Sequence, residues 1–264
     1  MHHARSELLI HPTAIIDPTA SIGSNVSIGP YTVIGRHVSI GDDCVIGPHV
    51  TLQGPTRLGR GNRIYQYASV GEEPQDKKFL GEETSLEIGD GNTIREFVTI
   101  NRGTVQDKAV TRIGNDNWIM AYVHIAHDCV IGDRIVFANG ASLAGHVQIG
   151  NDVILGGFTL VHQFCSIGQH AFTSMGSSIK QDVPPFVTVA GNPAEPHGIN
   201  AEGLKRQGFN REEVQAARRA YRSLYKSGLR LEQAIHEIDG IAAEHGVIQV
   251  LADFLRTSTR GIVR

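Results

Sequence analysis

Aromatic side chains are scarce in this chain, at 6% of 264 residues, so any core must be filled mainly by smaller aliphatic groups. Cysteine is scarcer still. Cys44, Cys129 and Cys165 are odd in number and fall at no metal-ligand spacing, which excludes a disulfide framework and points to a reducing compartment, the cytoplasm. No run approaches the roughly 18 apolar residues of a membrane span. The opening Met1-His2-His3-Ala4-Arg5-Ser6 lacks the apolar stretch of a secretory signal. A large net charge is missing too: the formal value is −3, and no nucleic-acid partner is expected.

Glycine, by contrast, is abundant, at 30 residues, and it falls in a pattern. An aliphatic residue recurs every six positions: Ile10, Ile16, Ile22, Ile28, Ile34, Ile40, Ile46, Leu52, Leu58, Ile64 and Val70. The next residue is often glycine (Gly23, Gly29, Gly35, Gly41, Gly47, Gly59, Gly71), and the fourth is small or β-branched (Ala14, Ala20, Val26, Thr32, Val38). Six matches neither the helical period nor simple alternation. It does match a short strand followed by a corner, where glycine would let the backbone turn. Three such units close a triangular coil of 18 residues. Because one coil cannot bury its own interior, coils must stack, about 4.8 Å apart through parallel hydrogen bonds.

The register breaks twice. Residues 72–85 are polar and off-pattern, and residues 101–111 form a second excursion; long loops on such scaffolds tend to be functional. The pattern resumes from Ile113 to Ile179, with Thr173 the one non-aliphatic, non-aromatic inward residue. Pro184-Pro185 closes it, and 186–199 reads as a linker. Thereafter the period is helical. Asn210 with Glu213 predicts a capping box, with Val214, Ala217, Tyr221, Leu224 and Tyr225 inward. Leu231–His245 and Val247–Arg256 predict two more helices. The expected organisation is an all-β parallel β-helix over 1–190 and a small α-helical domain over 191–264.

Charge is uneven. Between Leu204 and Arg230, eight basic residues (Lys205, Arg206, Arg211, Arg218, Arg219, Arg222, Lys226, Arg230) meet two acidic ones (Glu212, Glu213). That local +6 leaves −9 for the remainder. Such a segment suits an acidic partner or a phosphate-bearing ligand, although a solvated helix face would look the same.

The stretch Tyr122-Val-His124-Ile-Ala-His127-Asp128-Cys129 stands out. With 18-residue coils, Ile125, Leu143 and Val161 stack. His124, His127, His146 and His162 then fall on one strip spanning roughly 10 Å. Two chemistries suit that strip. A neutral histidine could act as general base while a hydroxyl attacks an activated acyl carbon, with the N–H of Gly145 facing the oxyanion. Alternatively, three imidazoles could hold zinc with an open position.

The chain resembles the hexapeptide-repeat acyltransferases and, among them, the UDP-N-acetylglucosamine O-acyltransferases. The likeness rests on Gln75-Asp76-Lys77-Lys78, Asn101-Arg-Gly-Thr104, His124-Ile-Ala-His127-Asp128-Cys129, Leu143-Ala-Gly-His146, Val161-His162-Gln163-Phe164 and Asn200-Ala-Glu-Gly-Leu-Lys-Arg206. It implies a left-handed β-helix, against the usual crossover hand, and a homotrimer without cofactor or resident metal. It also implies transfer of a (R)-3-hydroxyacyl chain from acyl carrier protein to the sugar 3-hydroxyl of UDP-N-acetylglucosamine, the first step of lipid A synthesis.

By the same resemblance His127 would be the base, Asp128 its support and Gly145 the oxyanion donor. His124, His146 and His162 would line the cleft. Gln75, Asp76 and Lys78 would reach over it, and Gln163, Asn200, Glu202 and Arg206 would hold sugar and diphosphate. Gln207 stands where some relatives carry a second arginine. Met175 stands where the acyl groove of some relatives ends at glycine, which implies a shorter chain of about ten carbons, each lost methylene forfeiting roughly 0.8 kcal/mol. A zinc hydratase of the gamma carbonic anhydrase type and a non-catalytic scaffold are the competing readings.

Overall fold

A computed structural model describes residues 10–264; the opening six residues, over which no export signal is expected, lie outside them. Most of the chain winds as a left-handed parallel β-helix with three flat faces. The first face starts at Ile15–Ile16, the second at Ser21–Ile22 and the third at Ser27–Ile28. Strands on each face are two to four residues long and pair in parallel with the coils above and below, except at the top of the third face. Ile125 pairs with Leu143, and Leu143 with Val161, so the 18-residue circuit holds.

The six-residue rule follows from what each position buries. The recurring aliphatic residues fill the prism: Ile28, Ile46, Ile64, Ile94 and Ile119 stack down one face and are almost fully buried. The small partner four residues on is buried as well, as at Val26, Val38, Val50 and Ala68. Thr173 is tolerated inside because its hydroxyl pairs with that of Thr159 at 2.7 Å, so no buried polar atom is stranded there.

The repeat glycines do a different job from the one expected. Apart from Gly71, those after the aliphatic residue are not in the left-handed region. They are needed because neighbouring coils press on them: a Cβ on Gly29 would lie 2.6 Å from the Pro48 nitrogen, and one on Gly41 2.7 Å from the Gly59 carbonyl carbon. The left-handed corners are held by other residues, such as Tyr31, His49, Tyr67, Phe97 and Tyr122, all with φ between 54° and 64°. That conformation costs roughly 1 kcal/mol. It is offset because the corner N–H reaches a carbonyl of the preceding coil, as from His49 to Pro30 and Tyr122 to Glu96, both at 3.0 Å. The five rings also stack at 4.9–5.2 Å.

Two coils depart from the 18-residue step. Val70 pairs with Ile100, 30 residues on, and Ile100 with Ile125, 25 on. Twelve and seven extra residues therefore leave the wall and return.

At the far end, the stretch expected to be a linker is a hairpin. Val187–Ala190 extends the third face and Glu195–Ile199 pairs with it antiparallel. The sequence signals there, Gly191-Asn192-Pro193, are those of its turn. Four helices follow: α1 (Ala201–Arg206), α2 (Arg211–Tyr225), α3 (Leu231–Glu244) and α4 (Gln249–Thr257). The expected capping box at Asn210 and Glu213 starts α2, whereas α1, only six residues long, has no sequence period to announce it. The helices share an apolar cluster that includes Phe186, Leu204, Leu224, Ile238 and Leu251. The tail returns to the β-helix, where buried Asp182 accepts from Ser166 N at 2.8 Å and the Ser258 hydroxyl at 2.7 Å. Among the described residues, no helix is long and apolar enough to cross a membrane.

Candidate active site

Each coil passes from the first face to the second at one corner, and here the register stacks His127 under Gly145 and Gln163, and Asp128 under His146 and Phe164. Asp128 takes the left-handed turn, φ 60°, which brings its carboxylate back beside its neighbour. Nδ1 of His127 lies 2.8 Å from Asp128 Oδ2. The carboxylate is almost fully buried and also accepts from the Thr104 N–H at 2.9 Å and the Thr104 hydroxyl at 2.6 Å. Burial alone pushes Asp128 up. The hydrogen bonds from His127 and Thr104, with His146 nearby, outweigh it and hold the carboxyl below its ordinary value. An ionised carboxylate only accepts, so neutral His127 keeps its proton on Nδ1 and leaves Nε2 bare. Among the described residues nothing hydrogen-bonds to that Nε2.

The ring rests on Gly145. A Cβ at that position would come 2.5 Å from Cε1 and 2.8 Å from Nε2 of His127, so the missing side chain is what admits the imidazole. The Gly145 N–H has no acceptor among the described residues. His146 stacks face to face on Phe164 (4.3 Å, 8°) and meets His127 edge-on (5.1 Å, 89°); its Nδ1 is 2.9 Å from Asp107 Oδ2. His124 pairs through Nδ1 with the Thr99 hydroxyl at 2.7 Å. Burial, and then the neighbouring His127, hold His124 below the ordinary histidine value, which keeps it neutral at neutral pH.

His127 and His146 open onto a cavity of about 760 Å³, lined also by Gln75, Asp76 and Lys78 from the first excursion, Gln106 and Asp107 from the second, and Gln163 and Phe164 from the wall. Six expected site residues (Gln75, Asp76, Lys78, His127, His146 and Gln163) thus line one space, with Asp128 and Gly145 behind it. Neither His124, held to Thr99, nor His162 lines it; the His162 ring is exposed, with Nδ1 turned to the Gln163 carbonyl at 3.1 Å. Asn200, Glu202 and Arg206 lie elsewhere, around a cavity of about 430 Å³ on the third face with Ile154, Phe172, Thr188 and Gln207. There Asn200 caps α1 and donates to the His170 carbonyl at 3.0 Å, and Glu202 pairs with Lys205 at 2.7 Å. Met175 is 78% exposed, at the corner between the third and first faces.

Sequence reasoning did not single out Thr104 or Asp107 as site residues. Their signal is the seven-residue surplus between Ile100 and Ile125, since a chain that leaves the wall just below two histidines must land near them. Ligand atoms of His127, Asp128 and His146 lie within 4.8 Å of one another, close enough for a divalent ion. A zinc hydratase, however, asks for three imidazoles, and here the third group is a carboxylate whose oxygens already accept from His127 and twice from Thr104.

Comparison with known proteins places the whole chain in a family. A family model described as UDP-N-acetylglucosamine O-acyltransferase, domain 2, matches residues 182–263, and one for the six-repeat bacterial transferase hexapeptide matches 19–54 and 111–145. The chain is 57% identical to the acyl-[acyl-carrier-protein]–UDP-N-acetylglucosamine O-acyltransferases of Thiobacillus denitrificans and a Janthinobacterium species, covering 97% of this chain and 99% of each relative. Among solved structures, LpxA of Acinetobacter baumannii superposes with a TM-score of 0.95 at 50% identity, covering 97% of this chain and all of that one. The Moraxella catarrhalis UDP-N-acetylglucosamine O-acyltransferase gives 0.94 at 48%, covering 96% and 99%. The chain belongs to the UDP-N-acetylglucosamine O-acyltransferase family.

Proposed function

We propose that this chain moves a (R)-3-hydroxyacyl group from acyl carrier protein to the sugar 3-hydroxyl of UDP-N-acetylglucosamine, the first step of lipid A biosynthesis, with His127 as general base. Nε2 of His127 takes the hydroxyl proton as the sugar oxygen bonds to the thioester carbonyl carbon. The oxyanion that forms is met by the Gly145 N–H. Collapse breaks the carbon–sulfur bond, and the leaving thiolate recovers the proton from His127. Asp128 keeps Nδ1 protonated through the cycle and favours the imidazolium in between. The observation that carries this reading is the part-buried His127, paired with buried Asp128 and with its Nε2 bare, seated on a glycine inside a cavity that two loops overhang.

The enzyme would act in the cytoplasm as a homotrimer. The free, buried cysteines suit a reducing compartment. Asn200, Glu202 and Arg206 lie on another face from His127, so a neighbouring copy's third face set against this chain's first would join the sugar-nucleotide groups to the base. Exposed Tyr122, Phe158, Leu160 and Met175 would supply the apolar part of such a seam. The exposed cations of α2, Arg211, Arg218, Arg219 and Arg222, suit an acidic carrier protein. Met175 would close the acyl groove at a chain of about ten carbons.

The test is His127→Ala. Transfer to UDP-N-acetylglucosamine should fall by at least about 100-fold, with the far-ultraviolet circular dichroism spectrum unchanged. Full activity in a folded variant would overturn the assignment.

A further inference from the structure

We infer that Asp107 is a positioning residue for this reaction: it fixes which ring nitrogen His146 presents to the substrate. The plane of His146 is already set, by Phe164 stacked at 4.3 Å from the next coil and His127 at its edge. What remains is which nitrogen holds the proton. Nδ1 faces Asp107 Oδ2 at 2.9 Å. The other nearby carboxylate oxygen, Asp128 Oδ2, is 3.9 Å away and already engaged by His127 at 2.8 Å and the Thr104 hydroxyl at 2.6 Å.

A carboxylate only accepts, so neutral His146 must carry its proton on Nδ1. The nitrogen left for the cavity is then Nε2 as a bare acceptor. It can pair only with a substrate O–H or N–H, the groups that a sugar ring and its acetamide offer. The seven-residue excursion therefore acts twice. Thr104 clamps the carboxylate that orients His127, and Asp107 is itself the carboxylate that orients His146. Nothing in the coil repeat supplies either group. Asp107 is about one-third exposed, at 36% of its side chain, so replacing it leaves the buried wall intact.

The ligand half of this inference rests on the acyltransferase reading; the tautomer half does not, and the two are tested separately. Nitrogen-15 spectra of histidine-labelled enzyme, with His146 assigned by its loss in His146→Gln, read the protonated nitrogen directly at a pH where the ring is neutral. Wild type should show protonated Nδ1. Asp107→Ala should lose that preference, and Asp107→Asn should keep it through the amide carbonyl. In kinetics, Asp107→Ala should raise KM for UDP-N-acetylglucosamine several-fold, up to about tenfold, with kcat within about threefold, as loss of one oriented hydrogen bond implies. Asp107→Asn should recover most of the loss. Protonated Nε2 in wild type, an unchanged tautomer in Asp107→Ala, or an unchanged KM would overturn the proposal. If His127→Ala kept transfer while the tautomer result held, the reaction assignment would fail and the role of Asp107 toward His146 would stand.

Discussion

The coils from Ile16 to Val70 and those from Val70 to Ile125 are built on one repeat, yet only the second set throws chain across the candidate site, which begins just past its last strand. In the first, Ile34, Leu52 and Val70 stack at the regular 18-residue step. Outward side chains there stand in parallel rows, as the rings of Tyr31, His49 and Tyr67 do. Rows of that kind stack but do not converge, because every coil aims its corner the same way. In the second set the steps are 30 and 25. The surplus chain leaves the wall and comes back at an angle, setting Thr104 against Asp128, Asp107 against His146, and Lys78 across the cavity. Regular coils supply rigidity, and broken register supplies convergence.

One methyl group can separate these two roles. Gly145 and Gly29 both lie outside the left-handed region, so alanine is conformationally allowed at each, and only its surroundings differ. At Gly145 the new Cβ meets the His127 ring at 2.5 Å. The ring must swing away and lose its Asp128 partner, while the backbone stays. Gly145→Ala should lose about 100-fold in transfer rate, about 2.7 kcal/mol of barrier, with little change in melting temperature. At Gly29 the Cβ meets Pro48 backbone at 2.6 Å, which cannot rotate aside. Gly29→Ala should cost about 1–3 kcal/mol of stability, the usual range for overpacking, and leave the activity of the folded fraction alone. Thermal melts beside initial rates would read both. If Gly145→Ala lowered the melting temperature as much as Gly29→Ala while sparing the rate, the division of labour would be wrong.

The wall was legible in the sequence because its information is periodic. Ile10 to Val70 at intervals of six gave the coil, and the coil length put Ile125, Leu143 and Val161 in one column. It also put His127 beneath Gly145, so much of the site could be read once the register was known. What could not be read was carried by groups outside any period. The surplus of seven residues says that a loop lands near His127, but not that Thr104 reaches Asp128 or Asp107 reaches His146, since a loop's path is set by contacts and not by spacing. The repeat glycines were assigned the wrong task because glycine has two distinct uses, turning and close approach, and a sequence does not say which. His162 was placed on the strip because the register fixes height and face; it does not fix where a side chain turns at an exposed corner.

Met175 sharpens the contrast from the other side. It sits on a regular coil, at a corner where no excursion lands, so any effect of its side chain on the acyl groove would be one of size alone. On the homotrimer reading it stands along the seam where the acyl chain would run, between two and three coil steps above His127, roughly 12 Å along the axis. If it ends that groove, wild-type enzyme should prefer ten-carbon over fourteen-carbon donors. Met175→Gly should reverse the order, by about fourfold in kcat/KM per methylene newly buried, the equivalent of roughly 0.8 kcal/mol. Paired rates on the two carrier-protein donors measure this. A wild-type preference for fourteen carbons, or a variant whose preference does not move, would mean that regular coils near the site leave chain length to the loops as well.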